Sequence, residues 1–389
     1  MPIINRVASM HDEVAAWRRD FHEHPEIGFD VERTAGIVAD KLRAFGCDKV
    51  VSGVGRTGVV GIITGRKDAS GMVVGLRADM DALPILEATG LPYASKTEGK
   101  MHACGHDGHT AMLLGAAKYL CETRNFDGAV AVIFQPNEEG LTGSLAMLED
   151  GLMDRFGIQQ VYGMHSSPNY ELGKFAICAG PMLAACDKFT IEITGKGAHA
   201  ARPHEGIDPV VVAAQTIMAL QTIASRTIDP LDAVVVSTCM VRAGEAFNII
   251  PQSVGLTGTI RTLSKQVRAQ TFARVRAIAE GTAASFGAKA HAEFEGDVPV
   301  TVNDAARAQF VTAVAAQIVG EDNVKQMRPI MGAEDFSHML NARPGAFIMI
   351  GNGIGPGLHN PSYNFNDAAI PIGVSYWVRL AETVMPVVA

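Results

Sequence analysis

The sequence predicts an α/β protein: a mostly parallel-sheet domain interrupted by an inserted ferredoxin-like (βαββαβ) domain. The chain has 389 residues, more than one core of ~150 residues would use. Short, continuous apolar runs alternate with helical patterns in its first part, which is typical of parallel strands buried on both faces. From about residue 186 the strands alternate apolar with polar residues, which indicates an antiparallel sheet with one solvated face.

The first 185 residues supply most elements of the parallel domain. Amphipathic spacing predicts helix through residues 9–46, with a break at His24-Pro25, because a residue that precedes proline disfavours helix. The apolar runs GVVGIIT (58–64), MVVGL (72–76) and AVAVIF (129–134) predict strands. A helix at about 108–124 precedes the last of these strands.

The inserted domain follows in the order β-α-β-β-α-β. Its predicted elements are a strand at 189–194, a helix at about 208–226, strands at 233–242 and 253–261, a helix at about 265–286 and a strand at 289–295. A helix at 303–319, a strand at 346–350 and a helix at 367–385 then return to the first pattern. We therefore predict one discontinuous domain of residues 1–185 and 296–389, and an inserted domain of residues 186–295.

Composition and charge exclude several classes of protein. The net charge is −8, and a protein that neutralises many phosphates needs a basic face, so nucleic acid is excluded as a partner. The N-terminal residues lack an apolar signal segment, and the most apolar helical stretch, 209–225, contains Gln and Thr, so we expect no membrane association. The six cysteines lie far apart without a CxxC pair, which favours reduced thiols and a cytoplasmic location.

One motif suggests a nucleotide site, but its context argues against that function. Residues 53–58, GVGRTG, match the pattern GxGxxG. A dinucleotide-binding fingerprint must open a helix, because the pyrophosphate sits at a helix N-terminus. The residues that follow, VVGIITG, predict a strand instead. We therefore interpret this segment as a glycine turn between strands.

Potential metal ligands are concentrated in the segment Met101–His109, MHACGHDGH. Four lie within eight residues: His102, Cys104, His106 and His109. Two acids, Asp79 and Asp81, follow the strand just before this segment. Loops at the carboxyl ends of parallel strands are where α/β proteins place their sites, so this segment indicates a metal site.

Three further segments offer ligands, each next to a predicted strand or in a loop. The segment QPNEEG (135–140) carries the adjacent carboxylates of Glu138 and Glu139, which repel each other unless a cation lies near. His165 follows an apolar run at a predicted strand end, and His359 lies in a glycine-rich loop. Thiolate, imidazole and carboxylate together favour Zn, Mn, Co or Ni over Ca or Mg. A nearby free Glu is what a metal-activated water needs for proton removal.

Taken together, these segments resemble the M20 metallopeptidases, specifically the amidohydrolase branch of hippurate hydrolases, N-acyl-amino-acid amidohydrolases and auxin-conjugate hydrolases. The resemblance covers essentially the whole chain. It runs through RRDFHEHPEIGFD (18–30), LRADMDALP (76–84), MHACGHDGHTAMLLGAA (101–117), QPNEEG (135–140), GMHSSP (163–168), GKGAHAARPHEGIDP (195–209), AFNIIP (246–251), GTIRT (258–262), GAEDFS (332–337) and LHNPSYNFND (358–367). So many ordered segments make the resemblance specific.

The resemblance implies a metal-dependent amidohydrolase that cleaves N-acyl amino acids, hippurate-like or N-acetylated. It implies two divalent ions per subunit, Mn, Zn, Co or Ni, held by five ligands: Cys104, His106, Glu139, His165 and His359. Glu138 matches the general base, and the Cys104 thiolate replaces the metal-bridging Asp of related branches. Asp81 is then expected to orient a ligand without binding metal itself.

The inserted domain resembles the family's lid, which also forms the dimer interface. The resemblance therefore implies a homodimer or a higher homo-oligomer with a small-molecule substrate. His199 matches a histidine that reaches a neighbouring subunit's site and stabilises the oxyanion. Asn248 matches a residue that contacts substrate, whereas Arg261 fits either a site role or a strand-end salt bridge.

Two departures and three rival functions remain open from the sequence. This chain has GMHSSP where the family often has GLHVWP, and QPNEE where the family has QPAEE. Ser166 and Ser167 are expected to widen the pocket beside His165 or to shift acyl preference. The rivals are a dipeptidase or aminopeptidase on the same scaffold, a catalytically silent small-molecule binder, and a cysteine hydrolase that uses Cys104. A chelator separates the last of these, because it stops a metal enzyme and spares a thiol enzyme.

Overall fold

The computed structural model describes residues 3–387, and at position 297 the backbone alone. The chain divides into two compact units, each described below by itself. The first comprises the chain through Gly180, Val302–Arg328 and the chain from Glu334 onward, and the second comprises Pro181–Thr301 with Pro329–Ala333. Within residues 3–387, no helix combines the length and the apolar composition that crossing a bilayer requires.

The strands, in chain order, are β1 (Lys49–Val54), β2 (Gly58–Thr64), β3 (Val73–Asp79), β4 (Ala129–Gln135), β5 (Gln160–Ser167), β6 (Phe175–Ile177), β7 (Gly180–Leu183), β8 (Ala185–Thr194), β9 (Ala198–His199), β10 (Val234–Ala243), β11 (Ile249–Ile250), β12 (Ser253–Thr262), β13 (Lys289–Val298), β14 (Thr301–Asn303), β15 (Val324–Gln326) and β16 (Gly345–Gly351).

The α-helices are α1 (Asn5–Ser9), α2 (His11–Glu23), α3 (Glu32–Phe45), α4 (His106–Thr123), α5 (Gly143–Glu149), α6 (Leu152–Arg155), α7 (Pro209–Leu220), α8 (Lys265–Ser285), α9 (Ala305–Val319), α10 (Ser337–Ala342) and α11 (Ile370–Val384). The break predicted at His24-Pro25 falls between α2 and α3.

An eight-stranded sheet forms the centre of the first unit, in the order β1-β2-β4-β3-β5-β16-β6-β15. Its four middle strands, β4, β3, β5 and β16, pair in parallel, and antiparallel pairs flank them. Every residue of β4, β5 and β16 is buried, as expected for strands covered on both faces. The predicted α/β fold with a mostly parallel sheet is confirmed.

The carboxyl ends of these parallel strands meet at one edge of the sheet. There β3 ends at Asp79, β4 at Gln135, β5 at Ser167 and β16 at Gly351. His165, which we expected at a strand end, lies inside β5, two residues before its last residue, because the strand continues through the serines of GMHSSP. The segment Gly53–Gly58 contains the end of β1, the turn of the β1–β2 hairpin and the first residue of β2. Gly55 lies in the turn with a φ of 59°, so the glycine-turn interpretation is confirmed.

The second unit is built on a four-stranded antiparallel sheet in the order β10-β12-β8-β13. With α7 after β8 and α8 after β12, the chain runs β-α-β-β-α-β through this sheet. Side chains alternate along β8, with Phe189, Ile191 and Ile193 buried and the residues between them partly or fully exposed. The buried side chains form the core of this unit together with residues of the two helices, among them Val212 and Val275.

Candidate metal centre

The metal centre is assembled at the carboxyl edge of the parallel sheet of the first unit. Cys104 lies in the loop before α4, and His106 is the first residue of that helix. Gly105 between them has a φ of 90° and leaves no room for a side chain, because a Cβ there would lie 2.4 Å from the Ser166 Oγ. Only glycine accommodates both this conformation and this contact.

The structure brings the five predicted ligand residues and Glu138 together. The Cys104 Sγ lies 3.4 Å from His165 Nε2, and the His359 Nε2 lies 3.3 Å from Glu139 Oε1. His106 Nε2 lies 3.8 Å from Glu138 Oε2 and 4.0 Å from Glu139 Oε1. Cys104 belongs to two groups whose ligand atoms lie within 4.8 Å of one another, one with His106 and His165 and the other with Glu139 and His359. Cys104 is therefore the residue that these two groups share.

The chemistry of this cluster fits a divalent transition metal. His106 Nε2 is buried without a hydrogen-bond partner among the described residues. A buried polar atom that stays unpaired costs about 1–3 kcal/mol, and a cation at the cluster would remove that cost. The donor set of thiolate, imidazole and carboxylate is the one that Zn, Mn, Co and Ni accept.

Burial and neighbouring charges shift the pKa values of the cluster. Burial raises the pKa of Glu138 well above its ordinary value, and the nearby Glu334 carboxylate raises it further. Burial likewise raises the pKa of the Cys104 thiol. A bound divalent cation favours the ionised form of both groups and so opposes these shifts. Burial and the nearby His109 hold the pKa of His165 well below its usual range, which keeps this imidazole neutral and able to coordinate.

Asp81 orients three residues of the cluster through hydrogen bonds. Its backbone carbonyl accepts the Nδ1–H of His106 at 2.8 Å, which leaves His106 Nε2 directed at the cluster. Its carboxylate accepts the backbone N–H groups of Glu138 at 3.0 Å and Glu139 at 3.1 Å. These contacts support the orienting role that we expected for Asp81.

A second set of hydrogen bonds orients His165. His109 Nδ1–H donates to the Asp79 carboxylate at 2.7 Å, and His109 Nε2 accepts the Ser166 backbone N–H at 2.8 Å. The Ser166 carbonyl then accepts His165 Nδ1–H at 2.6 Å, so that His165 Nε2 faces Cys104. No motif in the sequence indicates this chain of hydrogen bonds. Its one local signal is the spacing of His106 and His109, which places both on the same face of α4.

Replacing Asp79 with asparagine should weaken divalent-metal binding ~10–100-fold, because outer-sphere carboxylates that fix a ligand imidazole have effects of that size. The measurement is a calorimetric titration of chelator-stripped protein with Zn²⁺ or Co²⁺. His109→Gln keeps the buried Asp79–Arg77 ion pair and should weaken binding in the same direction, whereas Asp68→Asn, at an exposed position, should not. Wild-type affinity in both buried variants would show that the chain Asp79–His109–Ser166 does not position His165.

A buried ionic cluster underlies the metal centre. The guanidinium of Arg77, 1% exposed, donates to Asp79 at 2.7 Å, to Glu334 at 2.9 Å and to Asp335 at 3.2 Å. One cation thus faces three acidic side chains, and burial raises the pKa of Glu334 and raises that of Asp335 to about 8. The segment GAEDFS carries Glu334 and Asp335, but the sequence gives no local sign that they meet Arg77 on β3.

Ser166, one of the two serines that depart from the family pattern, contacts two buried side chains near the metal centre. The Ser166 Oγ lies 3.0 Å from His109 Nε2 and 3.2 Å from the Tyr363 hydroxyl. Tyr363 is buried, and burial raises the pKa of its phenol. The Ser166 side chain therefore lies between His109 and Tyr363 and contacts both through its hydroxyl.

His199 and Asn248 lie in the second unit, next to each other. The two-residue strand β9, which ends at His199, pairs with β11, and the Ala200 N–H donates to the Asn248 carbonyl at 3.1 Å. Both residues are exposed. His199 Nδ1 accepts the Ala201 N–H at 3.1 Å, which leaves Nε2 as the ring nitrogen open to a ligand.

Comparison with known proteins shows the family. The sequence profile of peptidase family M20/M25/M40 matches residues 75–383. A hippurate hydrolase of Campylobacter jejuni is 41% identical over 382 residues, which cover 98% of this chain and 99% of that protein. An N-acetyl-L-cysteine deacetylase of Bacillus subtilis is 38% identical over 373 residues, which cover 96% of this chain and 88% of that protein.

A solved structure extends the comparison to three dimensions. A Bacillus subtilis protein, described as a dinuclear metal-binding peptidase of the M20 family, superposes with a TM-score of 0.86 at 34% identity and covers 98% of this chain and 100% of its own. An IAA-amino acid hydrolase of Arabidopsis thaliana is 39% identical over 384 residues, which cover 95% of this chain and 85% of that protein. These matches extend over nearly the whole chain, and the protein therefore belongs to peptidase family M20/M25/M40, in its amidohydrolase branch.

Proposed function

We propose that this protein hydrolyses the amide bond of N-acyl amino acids, hippurate-like or N-acetylated, and releases a carboxylic acid and a free amino acid. The observation that carries the proposal is the position of Glu138, a buried carboxylate beside a cluster of thiolate, imidazole and carboxylate ligands. The names of the relatives, a hippurate hydrolase and an N-acetyl-L-cysteine deacetylase, support the same substrate class.

In this proposal the residues of the first unit divide into ligands and a base. Cys104, His106, Glu139, His165 and His359 hold the metal, two ions of Mn, Zn, Co or Ni per subunit. The bound metal supplies Lewis-acid chemistry at the amide carbonyl. Glu138 removes a proton from the attacking water and then donates it to the leaving amine. Asp81 keeps the backbone of Glu138 and Glu139 in place while this proton moves.

The second unit has a different part in the proposed reaction. Residues 186–295 act as a lid and as the contact between two subunits of a homodimer. His199 stabilises the oxyanion in the neighbouring subunit's site, and Asn248 contacts the substrate beside it. The pairing of β9 with β11 places His199 next to Asn248, which supports a role for both residues at the same substrate. The six cysteines lie far apart along the chain without a CxxC pair, which supports a cytoplasmic location.

Mixing two inactive variants tests the action of His199 across subunits. When His199→Ala and Glu138→Gln chains are unfolded together and refolded, the mixture should hydrolyse substrate at about a quarter of the wild-type rate. Half of the dimers then contain one chain of each variant, and one of the two sites in such a dimer has both Glu138 and His199. Each variant refolded by itself should stay inactive. The measurement is the rate of amino-acid release by the refolded mixture. No recovery in a mixture shown to contain mixed dimers, or full wild-type activity at a gel-filtration mass of 41.2 kDa, would exclude the proposed trans role.

A small substrate panel tests the proposed activity. Chelator-stripped protein is supplied with Mn²⁺, Co²⁺, Ni²⁺ or Zn²⁺ and with benzoyl, acetyl or indoleacetyl derivatives of Gly, Ala, Leu and Asp. Metal-dependent release of the amino acid from any of them supports the proposal and ranks the acyl groups. Cleavage of dipeptides alone would favour a peptidase, and no cleavage despite bound metal would favour a silent binding protein.

A further inference from the structure

Two cysteines outside the metal centre lie close enough to form a disulfide. Cys47 lies just after α3 and the left-handed Gly46 that caps this helix with a φ of 87°. The Cys47 N–H donates to the Leu42 carbonyl at 3.1 Å. Cys121 lies in the last turn of α4. Their sulfur atoms are 3.6 Å apart, and both side chains are partly exposed. A disulfide bond is ~2.05 Å long, so only a small approach of the two sulfur atoms separates the dithiol from the bonded pair.

The two thiols share one polar contact and one neighbouring cation. Their sulfur atoms lie within hydrogen-bonding distance, and either thiol can donate. The guanidinium of Arg124, three residues beyond Cys121, lowers the pKa of both thiols. With Cys47 as the donor, the contact lowers the pKa of Cys121 and, together with burial, raises that of Cys47. We therefore assign the attack to Cys121 and the resolution to Cys47.

We propose that Cys47 and Cys121 form a reversible thiol–disulfide exchange site that reacts with small disulfides such as oxidised glutathione. The Cys121 thiolate attacks one sulfur of the small disulfide, whose S–S bond breaks, and one small thiolate leaves. The Cys47 sulfur then attacks Cys121 in the mixed disulfide, loses its proton and displaces the second small thiolate. The protein loses two electrons, the small disulfide gains them, and two small thiols are released.

The exchange site lies far from the proposed reaction centre. Cys121 is fifteen residues beyond His106 along α4, which is ~22 Å at the helical rise. The new bond would join the end of α3 to the end of α4, two helices that already pack together. The exchange therefore does not depend on the proposed amidohydrolase function, and it is measured on thiols and not on turnover.

The test is equilibration of the full-length protein in glutathione buffers of increasing oxidised fraction, followed by N-ethylmaleimide alkylation and peptide mass spectrometry. We expect a Cys47–Cys121 cross-linked peptide, the loss of those two alkylation sites, and full recovery of both with dithiothreitol. The proposal is overturned if both thiols can still be alkylated after oxidising conditions that convert the exposed Cys239 to its mixed disulfide with glutathione. It is also overturned if Cys121 stops at such a mixed disulfide and forms no bond with Cys47.

Serine variants separate the two roles. In Cys47→Ser, Cys121 should accumulate as a stable mixed disulfide, because the resolving thiol is absent. In Cys121→Ser, Cys47 also lacks a partner thiol and should stop at its own mixed disulfide without forming a cross-link. Cys239→Ser is the matched control and should still form the cross-link. In the wild type, quenching early in the reaction should trap the glutathione adduct on Cys121, and an adduct trapped on Cys47 would contradict the assignment of attacking and resolving thiols.

Discussion

Replacing Glu138 with glutamine should lower kcat on N-acyl amino acids by ~10²–10⁴-fold, the range that loss of a general base produces. Glutamine keeps the size of the side chain and removes the carboxylate that accepts the proton. Glu138 is not one of the five proposed ligands, and its backbone N–H is held by Asp81 whatever its side chain, so metal affinity should stay near the wild-type value. Steady-state kinetics and metal titration of the same preparation measure the two quantities separately.

The split between turnover and metal binding is what identifies the role of Glu138. Glu149→Gln, an exposed carboxylate on α5, is the matched control and should change neither quantity. If Glu138→Gln kept wild-type turnover, Glu138 would not be the base. If it lost metal in proportion to activity, Glu138 would act as a ligand, as its 3.8 Å distance from His106 Nε2 would then explain.

The fold could be predicted from the sequence where strands form continuous apolar runs. The predicted apolar runs coincide with the cores of β2, β3, β4 and β16, because a mostly buried strand of seven residues appears in the sequence as a continuous apolar run. The short strands β6 and β15, of three residues each, leave no pattern at all. β1, which contains Gly53 and has only Val54 buried, also lacks an apolar run.

In the candidate site, too, local features could be predicted from the sequence, whereas contacts between distant segments could not. The ligand-rich loop MHACGHDGH and the pair Glu138-Glu139 are local features, so the sequence displays them directly. The ion cluster of Arg77 with Glu334 joins residues 257 positions apart, and nothing in either segment indicates the other. The orientation of His165 through Ser166 depends on backbone hydrogen bonds, which side-chain identity does not encode.

Replacing Cys104 with alanine should abolish high-affinity binding of the metal pair, with a loss beyond the ~10–100-fold that an outer-sphere change produces. The reason is its position: Cys104 shares one group with His106 and His165 and another with Glu139 and His359, so its removal takes a ligand from both. Activity should fall with metal content. Metal content by elemental analysis and the near-ultraviolet thiolate-to-cobalt absorption of the Co²⁺-loaded protein measure the effect.

Cys104→Asp is the informative partner variant, because a carboxylate can also bridge two ions. It should restore metal binding above the alanine level while the thiolate-to-cobalt absorption stays absent.

The same variants separate a metal enzyme from a thiol hydrolase. In a thiol hydrolase, chelator would spare activity and Cys104→Asp would remain inactive with any metal. In the proposed metal enzyme, chelator stops the wild type, added metal restores it, and the aspartate variant regains turnover in step with its metal content. An alanine variant that kept both ions and full turnover would contradict the bridging role, because the remaining four ligands would then suffice.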